Sequence, residues 1–500
     1  NHALSSNQIK EALAALLPAH ADYRHLRDTL AIYRKFAEAG GWPIVPSGKK
    51  LQLGDRSERV IPLRQRLAVE GFLTKAGADD QALFDSDLDQ ALKKFQMQNG
   101  LETDGILGTN TLQALNISAD QRVRQIAVNM ERWRWLPQML GDRYILVNIA
   151  GFNLNVVEQE KSLLDMRVVA GKTYRKTPVF SDKITYLVIN PHWGVPDTIA
   201  KKDILPKVKK DLKFLKKQKF HVFEGWGDNT REIDSYMIDW NTVTAANLRY
   251  RFKQDPGPLN ALGRIKFMFP NKFNVYLHDT PAKDLFVKAR RDFSSGCIRI
   301  EKPVELAEYL LRDHPDWPPE KIRSALTGSD VNVQTVKLLE PVNIHILYWT
   351  VWVGKDGRIY FSPDVYDRDK SLDIAIQSPH FRLKQFLCKQ NGGYPKYLVL
   401  KEALPPKMEL ILQRLNAKGY RCDSFHVMSG YRTPYYNKAI GNVKYSRHIY
   451  GGAADIFIDE LYGKSYYIKF MGGLARYKKT LNHDPFVHLD VRGRRARWGD

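Results

Sequence analysis

Two groups of residues in this 500-residue chain have the types and spacing that chemistry requires. The first is His278 followed, nineteen positions later, by Cys297 in the run Ser294-Ser295-Gly296-Cys297-Ile298-Arg299. A nucleophilic thiol needs a base to take its proton and amides to hold the oxyanion that its attack creates. His278 ends the β-rich run Asn274-Val275-Tyr276-Leu277, and the loop that follows lets neighbouring sheet elements bring the two residues together. Gly296 allows a tight turn, so the amides of Gly296 and Cys297 are the candidate oxyanion donors. Arg299 adds a charge that favours thiolate and suits a substrate carboxylate. Standing alone, a cysteine with an upstream histidine is more often a buried thiol beside an incidental imidazole. The second group is His448, Asp455 and His488, an N, O, N set of the kind hydrolytic zinc uses while its fourth position holds water. Phe486–Asp490 alternates as a strand, which puts His488 and Asp490 on one face with Asp490 in a supporting position.

These residues need elements to hold them. Apolar spacing predicts helix over residues 1–45, ended by Gly40-Gly41, and a small helical unit over 51–116 punctuated by Gly54, Gly71, Gly100, Gly105 and Gly108. From about Tyr144 short β-rich runs separated by turn residues predict a sandwich or barrel-like sheet. Lys201–Lys219 interrupts that sheet with nine lysines and two acids, a net of 9 − 2 = +7. Its leucines and Phe214 mark it as an ordered insertion or lid. Strands resume near 265–277 and at 342–361; residues 367–380 read as a linker and 381–500 as a second α/β segment. The expected fold class is multidomain α+β.

Composition narrows the partners. Lys and Arg total 77 against 55 Asp and Glu, so the net charge is 77 − 55 = +22. Such a charge suits nucleic acid, an anionic membrane surface or an anionic wall polymer. The lysine-rich insertion has few aromatics and no arginine, which argues against nucleic acid. Hydrophobic residues make up 43%, enough to exclude global disorder. No apolar run approaches a membrane span, and the chain opens Asn-His-Ala without a leader, so a signal or anchor segment is expected outside it.

The motifs resemble known families in three places. Val60, Leu63, Leu67, Gly71, Phe95-Gln96, Gly100-Leu101 and Asp104-Gly105-Ile106-Leu107-Gly108 resemble the three-helix peptidoglycan-binding domain of wall-lytic enzymes. His278 followed by Ser294-Ser295-Gly296-Cys297-Ile298-Arg299 resembles the L,D-transpeptidase (YkuD-type) motif, with Ser295 where many members have histidine. The large periplasmic class looks most similar, and the resemblance covers residues 1–365. It implies a mostly-β catalytic domain over 117–366 with a capping insertion at about 200–258, after a helical scaffold (1–50) and the binding module (51–116). It further implies Cys297 as nucleophile, His278 as base oriented by the Ser295 carbonyl, no cofactor at that site, and 3→3 crosslinking of peptidoglycan stem peptides through a thioester. Carbapenem-type inhibitors would acylate Cys297. Asn190 and Trp193, in a segment that matches one beside the family's cleft, are candidate substrate contacts, though a packed strand end is an equal reading.

Ser429-Gly430-Tyr431-Arg432-Thr433-Pro434, Ser446-Arg447-His448, Gly451 through Asp455, and Phe486-Val487-His488-Leu489-Asp490 resemble the D-alanyl-D-alanine metallopeptidase superfamily. That implies zinc on His448, Asp455 and His488, with Arg432 anchoring a substrate carboxylate or carbonyl. Where relatives carry a glutamate or histidine base just before the last ligand, this chain has Pro485 and Phe486. His483, then Asp484, are the candidate bases, and a non-catalytic wall-binding role is the alternative. The implied setting is the periplasm or cell envelope, with glycan and stem peptides as partners, no nucleic acid, and membrane association only through an N-terminal segment outside this chain. There, Cys388 and Cys422 either bridge or stay as two buried thiols.

Overall fold

A computed structural model describes residues 17–74, 80–225, 227–327, 331–370 and 372, then 404–417 and five strands between 426 and 499. Leu140–Tyr348 make one compact unit; Asn1–Met139 and Trp349–Asp500 make the other.

The first unit opens with helix α1 (Ala21–Glu38), which buries Tyr23, Leu26 and Leu30 on one stripe. Helices α2 (Val60–Val69), α3 (Ser86–Gln98) and α4 (Thr109–Leu115) form a small module around Leu63, Leu67, Phe84, Leu88, Leu92, Phe95 and Leu115. Asp85 caps α3 by accepting from the Leu88 amide, which satisfies a donor the first turn leaves open. Gln96, fully buried, donates to Asp104 and Thr111 and accepts from the Gly105 amide, so one side chain ties down the glycine-rich run. Helix α5 (Ala119–Trp133) starts from a reciprocal Ser118–Gln121 capping box. Arg66 is fully buried; it donates to the Leu115 carbonyl at 2.8 Å and to Glu70 at 2.6 Å, and lies 4.0 Å over the Trp42 ring. Glu70 also accepts from the Tyr33 hydroxyl of α1.

The second unit is a nine-stranded sheet that closes on itself. Its strands are β1 (Arg143–Asn148), β2 (Asn153–Glu158), β3 (Lys161–Gly171) and β4 (Phe180–Ile189), then, after an insertion, β9 (Ile265–Met268), β10 (Leu277–His278), β11 (Asp292–Ser294), β12 (Ile298–Ile300) and β13 (Gln334–Leu347). The order β11-β3-β12-β10-β9-β4-β13-β1-β2 is completed by pairing of β2 back to β3. Alternate residues fill the interior: Ile145, Leu154, Val168, Leu187, Ile265, Phe267, Leu277, Ile298 and Ile344 are all fully buried. The insertion carries β5 (Trp193–Gly194), β6 (Phe220–Glu224), β7 (Arg231–Ile233) and β8 (Arg251–Gln254) as a separate sheet in the order β5-β8-β6-β7. Short helices between β5 and β6 bring Ile204, Leu205, Val208 and Leu215 onto Val222, Trp240 and Phe252. The lysine-rich stretch is therefore an ordered cap with its own core.

The expected catalytic domain ran to residue 366, whereas residues from Trp349 onward group with the helices. Trp349 stacks on Trp133 of α5 at 4.4 Å, Thr350 exchanges two hydrogen bonds with Asn129, and Arg132 pairs with Asp369 at 2.7 Å. The strand pair β14 (Val351–Val353) and β15 (Ile359–Phe361) follows the same helices. Buried aromatic surface and a buried ion pair decide the grouping, and pattern alone does not show them. Of the expected linker, 367–370 are ordered and the rest lies outside the described residues, apart from Leu372.

After helix Leu404–Asn416 come β16 (His426–Ser429), β17 (Ala453–Phe457), β18 (Gly473–Tyr477), β19 (Phe486–Asp490) and β20 (Ala496–Gly499), ordered β16-β17-β19-β18-β20. Among the described residues no helix is long and apolar enough to cross a membrane.

The Arg66–Glu70 pair sets a stability test. Glu70→Ala leaves the Arg66 guanidinium buried without its counter-charge, and should cost about 3–5 kcal/mol in denaturant unfolding. Replacing both residues by Met and Leu should recover part of that loss.

Candidate active site

One sheet face carries the chemistry. His278 on β10 lies opposite Lys266 of β9 on one side and Arg299 of β12 on the other. The parallel register of Leu277 with Ile298 and His278 with Arg299 sets Tyr276 beside Cys297, and the Ile298 amide donates to the Tyr276 carbonyl at 3.1 Å. Because strand side chains alternate, Tyr276, His278, Lys266, Cys297 and Arg299 share one face, while Leu277, Phe267 and Ile298 fill the interior behind them. The Tyr276 and His278 rings are 5.7 Å apart, and the Lys266 ammonium lies 3.9 Å from the Tyr276 ring centroid.

His278 is buried, and its Nδ1 is 2.5 Å from the Asp279 carbonyl. A carbonyl only accepts, so Nδ1 carries the proton and Nε2 is left as the basic nitrogen. The expected orienting group, the Ser295 carbonyl, is not this partner; the residue directly after the histidine supplies it. Asp279 is itself locked, its carboxylate accepting from the Arg264 and Thr280 amides and from Lys283. Burial, then the Arg299 and Lys266 charges, push the imidazole down to about 3. Cys297 is half-buried, with its sulfur 3.8 Å from the Asn274 carbonyl. Burial pushes the thiol up, opposed by hydrogen bonds from the Tyr276 backbone and hydroxyl and by Lys266 and Arg299. Burial in turn lowers Lys266 and Arg299, and the Cys297 charge offsets part of that in each. The Nε of Arg299 is buried without a partner.

The loop before Cys297 is braced from several sides. The Ser294 hydroxyl donates to the Cys297 carbonyl at 2.5 Å and accepts from the Gly296 amide at 3.1 Å. The expected use of the Gly296 amide as an oxyanion donor is thus not met in this conformation, because a neighbouring hydroxyl already holds it. Thr177, fully buried, donates to the Gly296 carbonyl and accepts from the Gly171 amide, both at 2.9 Å. Gly296 sits at φ +118, where a side chain is strained. Arg175 reaches both Ser295 and Asp203, each at 2.6 Å, and so joins the loop before Cys297 to the cap.

The two expected substrate contacts, Asn190 and Trp193, sit in different surroundings. Asn190 is buried at φ +50; its amide nitrogen donates to the Ala325 carbonyl and its oxygen accepts from Arg264. It braces a strand end because every polar atom of its side chain is used internally. Trp193 sits in β5 opposite Gln254, with its ring 5.9 Å from Phe220, as part of the cap sheet. Lys266, Tyr276, Asp279, Thr177 and Arg175 were not foreseen. A polar residue alternating with Ile265 and Phe267, and a tyrosine two before the histidine, were the available signals for the first two.

In the C-terminal sheet, Asp455 of β17 lies directly opposite His488 of β19. Two of the three expected zinc ligands are therefore adjacent across an antiparallel ladder, which fits a shared metal. His448, Arg432, His483, Asp484, Cys388 and Cys422 lie outside the described residues. No cluster of three or more His, Cys, Asp or Glu suited to a metal occurs among the described residues.

Comparison with known families agrees with this division. The putative peptidoglycan binding domain matches residues 56–115, the L,D-transpeptidase catalytic domain 142–336, and Peptidase M15 379–490. The chain thus carries a peptidoglycan-binding module, an L,D-transpeptidase domain and an M15 peptidase domain, in that order, on a mixed α+β framework. It is 31% identical over 252 residues to a putative L,D-transpeptidase of Haemophilus influenzae, covering 50% of this chain and 49% of that protein. The chain therefore spans about half the length of this curated relative. It is 40% identical over 75 residues to the N-acetylmuramoyl-L-alanine amidase CwlM of Mycobacterium tuberculosis, covering 14% of this chain and 18% of that protein. A solved L,D-transpeptidase from Stackebrandtia nassauensis aligns with TM-score 0.24 at 14% identity, covering 61% of this chain and 96% of that one.

Two outcomes follow from the site. The native imidazole refuses a proton that the unfolded one accepts below its ordinary 6.5, so stability should fall as pH drops from about 6.5 toward 3. Unfolding free energies at stepped pH check this, and His278→Gln should flatten the slope. Thr177→Val keeps the shape but removes the hydroxyl that joins the Gly171 amide to the Gly296 carbonyl, and should cost about 1–3 kcal/mol in the same assay.

Proposed function

We propose that the 140–348 unit is a cysteine L,D-transpeptidase that forms 3→3 peptidoglycan crosslinks. The observation that carries this is the shared face of Cys297 and His278, with Nδ1 of His278 fixed on the Asp279 carbonyl and Nε2 left to accept the thiol proton. The donor is a tetrapeptide stem ending in a diamino acid and D-alanine. The Cys297 sulfur attacks the diamino acid carbonyl as its proton passes to His278 Nε2. The C–N bond to D-alanine then breaks, the same proton goes to the departing amine, and a thioester remains. A second stem's side-chain amine attacks that thioester, and the thiol is restored. Both resting groups are neutral, so proton transfer accompanies attack rather than preceding it. Arg299 and Lys266, with no carboxylate between them on that face, suit the stem's carboxylates.

The M15 domain would hold zinc on His448, Asp455 and His488, and the adjacency of the last two supports that donor set. Bound there, zinc would supply a Lewis acid and an activated water for cutting stem peptides or crosslinks. Arg432 would anchor a carboxylate or carbonyl, and His483 or Asp484 would handle the proton. Pro485 and Phe486 favour a second reading, in which this domain binds the wall without cutting it. The binding module, the cap lysines and the +22 charge fit a chain that works on peptidoglycan in the cell envelope.

A carbapenem should add one covalent mass increment to the chain, and Cys297→Ala should abolish both this adduct and the 3→3 crosslinks in muropeptide profiles. Stoichiometric zinc and chelator-sensitive cleavage of sacculi should accompany the peptidase reading. Zinc without cleavage selects the wall-binding reading.

A further inference from the structure

We infer that Tyr276 is a further catalytic residue of this site, donating its hydroxyl hydrogen to the Cys297 sulfur as charge develops there, with Lys266 as the positioning residue that holds it. The inference deepens the transpeptidase reading and rests on it for the reaction served, though not for the chemistry of the thiol.

The arrangement of the row creates the need. His278 has a cation on each side, Lys266 and Arg299, and no carboxylate across the strands that flank it. Its hydrogen-bond partners are neutral backbone groups, at Asp279 and Leu262. An imidazolium there gains no counter-charge, so a stable thiolate–imidazolium pair is not what this site favours. Negative charge on sulfur must be met by other donors. Ser294 holds the Gly296 amide, and the Asn274 carbonyl can only accept from the thiol.

Tyr276 meets the requirement. The parallel register sets it beside Cys297, and the Ile298-to-Tyr276 hydrogen bond fixes that alignment. Its backbone N–H and its hydroxyl both bear on the sulfur. Burial and the Cys297 charge hold the phenol above its ordinary value, so it stays protonated and remains a donor. The Lys266 ammonium over the ring face, 3.9 Å from its centroid, restrains the ring by a cation–π contact. It also places a second positive charge near the sulfur. Hydrogen bonds to a charged acceptor are the strong ones, and a preorganised donor costs no reorganisation as charge appears. No proton leaves the tyrosine: the thiol proton goes to His278 Nε2, and the phenol O–H only shares its hydrogen with the sulfur.

The test uses the full chain and reads the thiol itself. Rates of Cys297 alkylation by iodoacetamide are measured from pH 5 to 10 by mass spectrometry, beside carbapenem acylation rates. Tyr276→Phe keeps the ring and should move the thiol's apparent pKa up by about one to two units and slow acylation about 10- to 100-fold. Lys266→Met should shift the profile in the same direction, and Lys266→Arg should restore most of it. Melting curves of each variant show that the fold persists. An alkylation profile unchanged in Tyr276→Phe, with wild-type acylation rates, overturns the inference. If the shifts appear while wild-type protein makes no crosslinks from stem peptides, the inference stands and the transpeptidase reading fails.

Discussion

The catalytic half of this protein depends on the period of a β-strand. In β9, β10 and β12 successive side chains point to opposite faces, so one register serves two needs. Ile265, Phe267, Leu277, Ile298 and Ile300 fill the closed sheet, while Lys266, His278, Cys297 and Arg299 form a polar row outside it. A one-residue slip in any of these strands would bury a cation and expose a leucine or isoleucine. The apolar interior therefore excludes the odd slips that would put Cys297 and His278 on opposite faces. Folding and site assembly are decided by one constraint.

The loops complete what the strands begin. Closure of the sheet brings β3 against both β11 and β12, so Gly171, at the end of β3, meets the turn that carries Gly296. A Cβ on Gly171 would run into the Arg175 carbonyl, the Thr177 amide and the Gly296 α-carbon, so the approach needs glycine at 171, whereas Gly296 is required by its φ of +118. Thr177 ties these two backbones through one hydroxyl. Arg175, in the same loop, extends the connection to Asp203 in the cap. The cap is thus joined by an ion pair to the segment that sets the backbone before Cys297.

Much of this was legible in the residues. Cys297, His278, the turn glycine and the strand runs are local signals, and the apolar alternation announced the sheet. The peptidoglycan-binding module was legible for the same reason, since Gln96 and the glycines it ties lie within sixteen positions of one another. What escaped was non-local. Nothing in the order of residues shows that the imidazole's partner is Asp279 rather than Ser295, because carbonyl directions follow from how the chain leaves β10. Asn190 looked like a cleft residue by its neighbours, yet the Arg264 and Ala325 groups that absorb it are 74 and 135 positions away. The return of Trp349 to α5 depends on a stacking contact across more than two hundred residues. In the C-terminal domain the order of His and Asp motifs suggested a metal set, and the register of β17 with β19 supports two of its members.

Charge in this chain then has two scales. The lysines of the cap are solvated and act at a distance, screened by salt over about 10 Å. Lys266 and Arg299 are a different matter, because burial works against their charge and neither is answered by a carboxylate in the His278 row. Two half-buried cations without an anion in that row are costly to keep, and the fold keeps them where their fields converge on one sulfur and one imidazole. The same fields that keep His278 neutral favour negative charge on Cys297 and on any carboxylate brought beside it. In the proposed transpeptidase reaction, a stem peptide's carboxylate would supply the counter-charge that this row lacks.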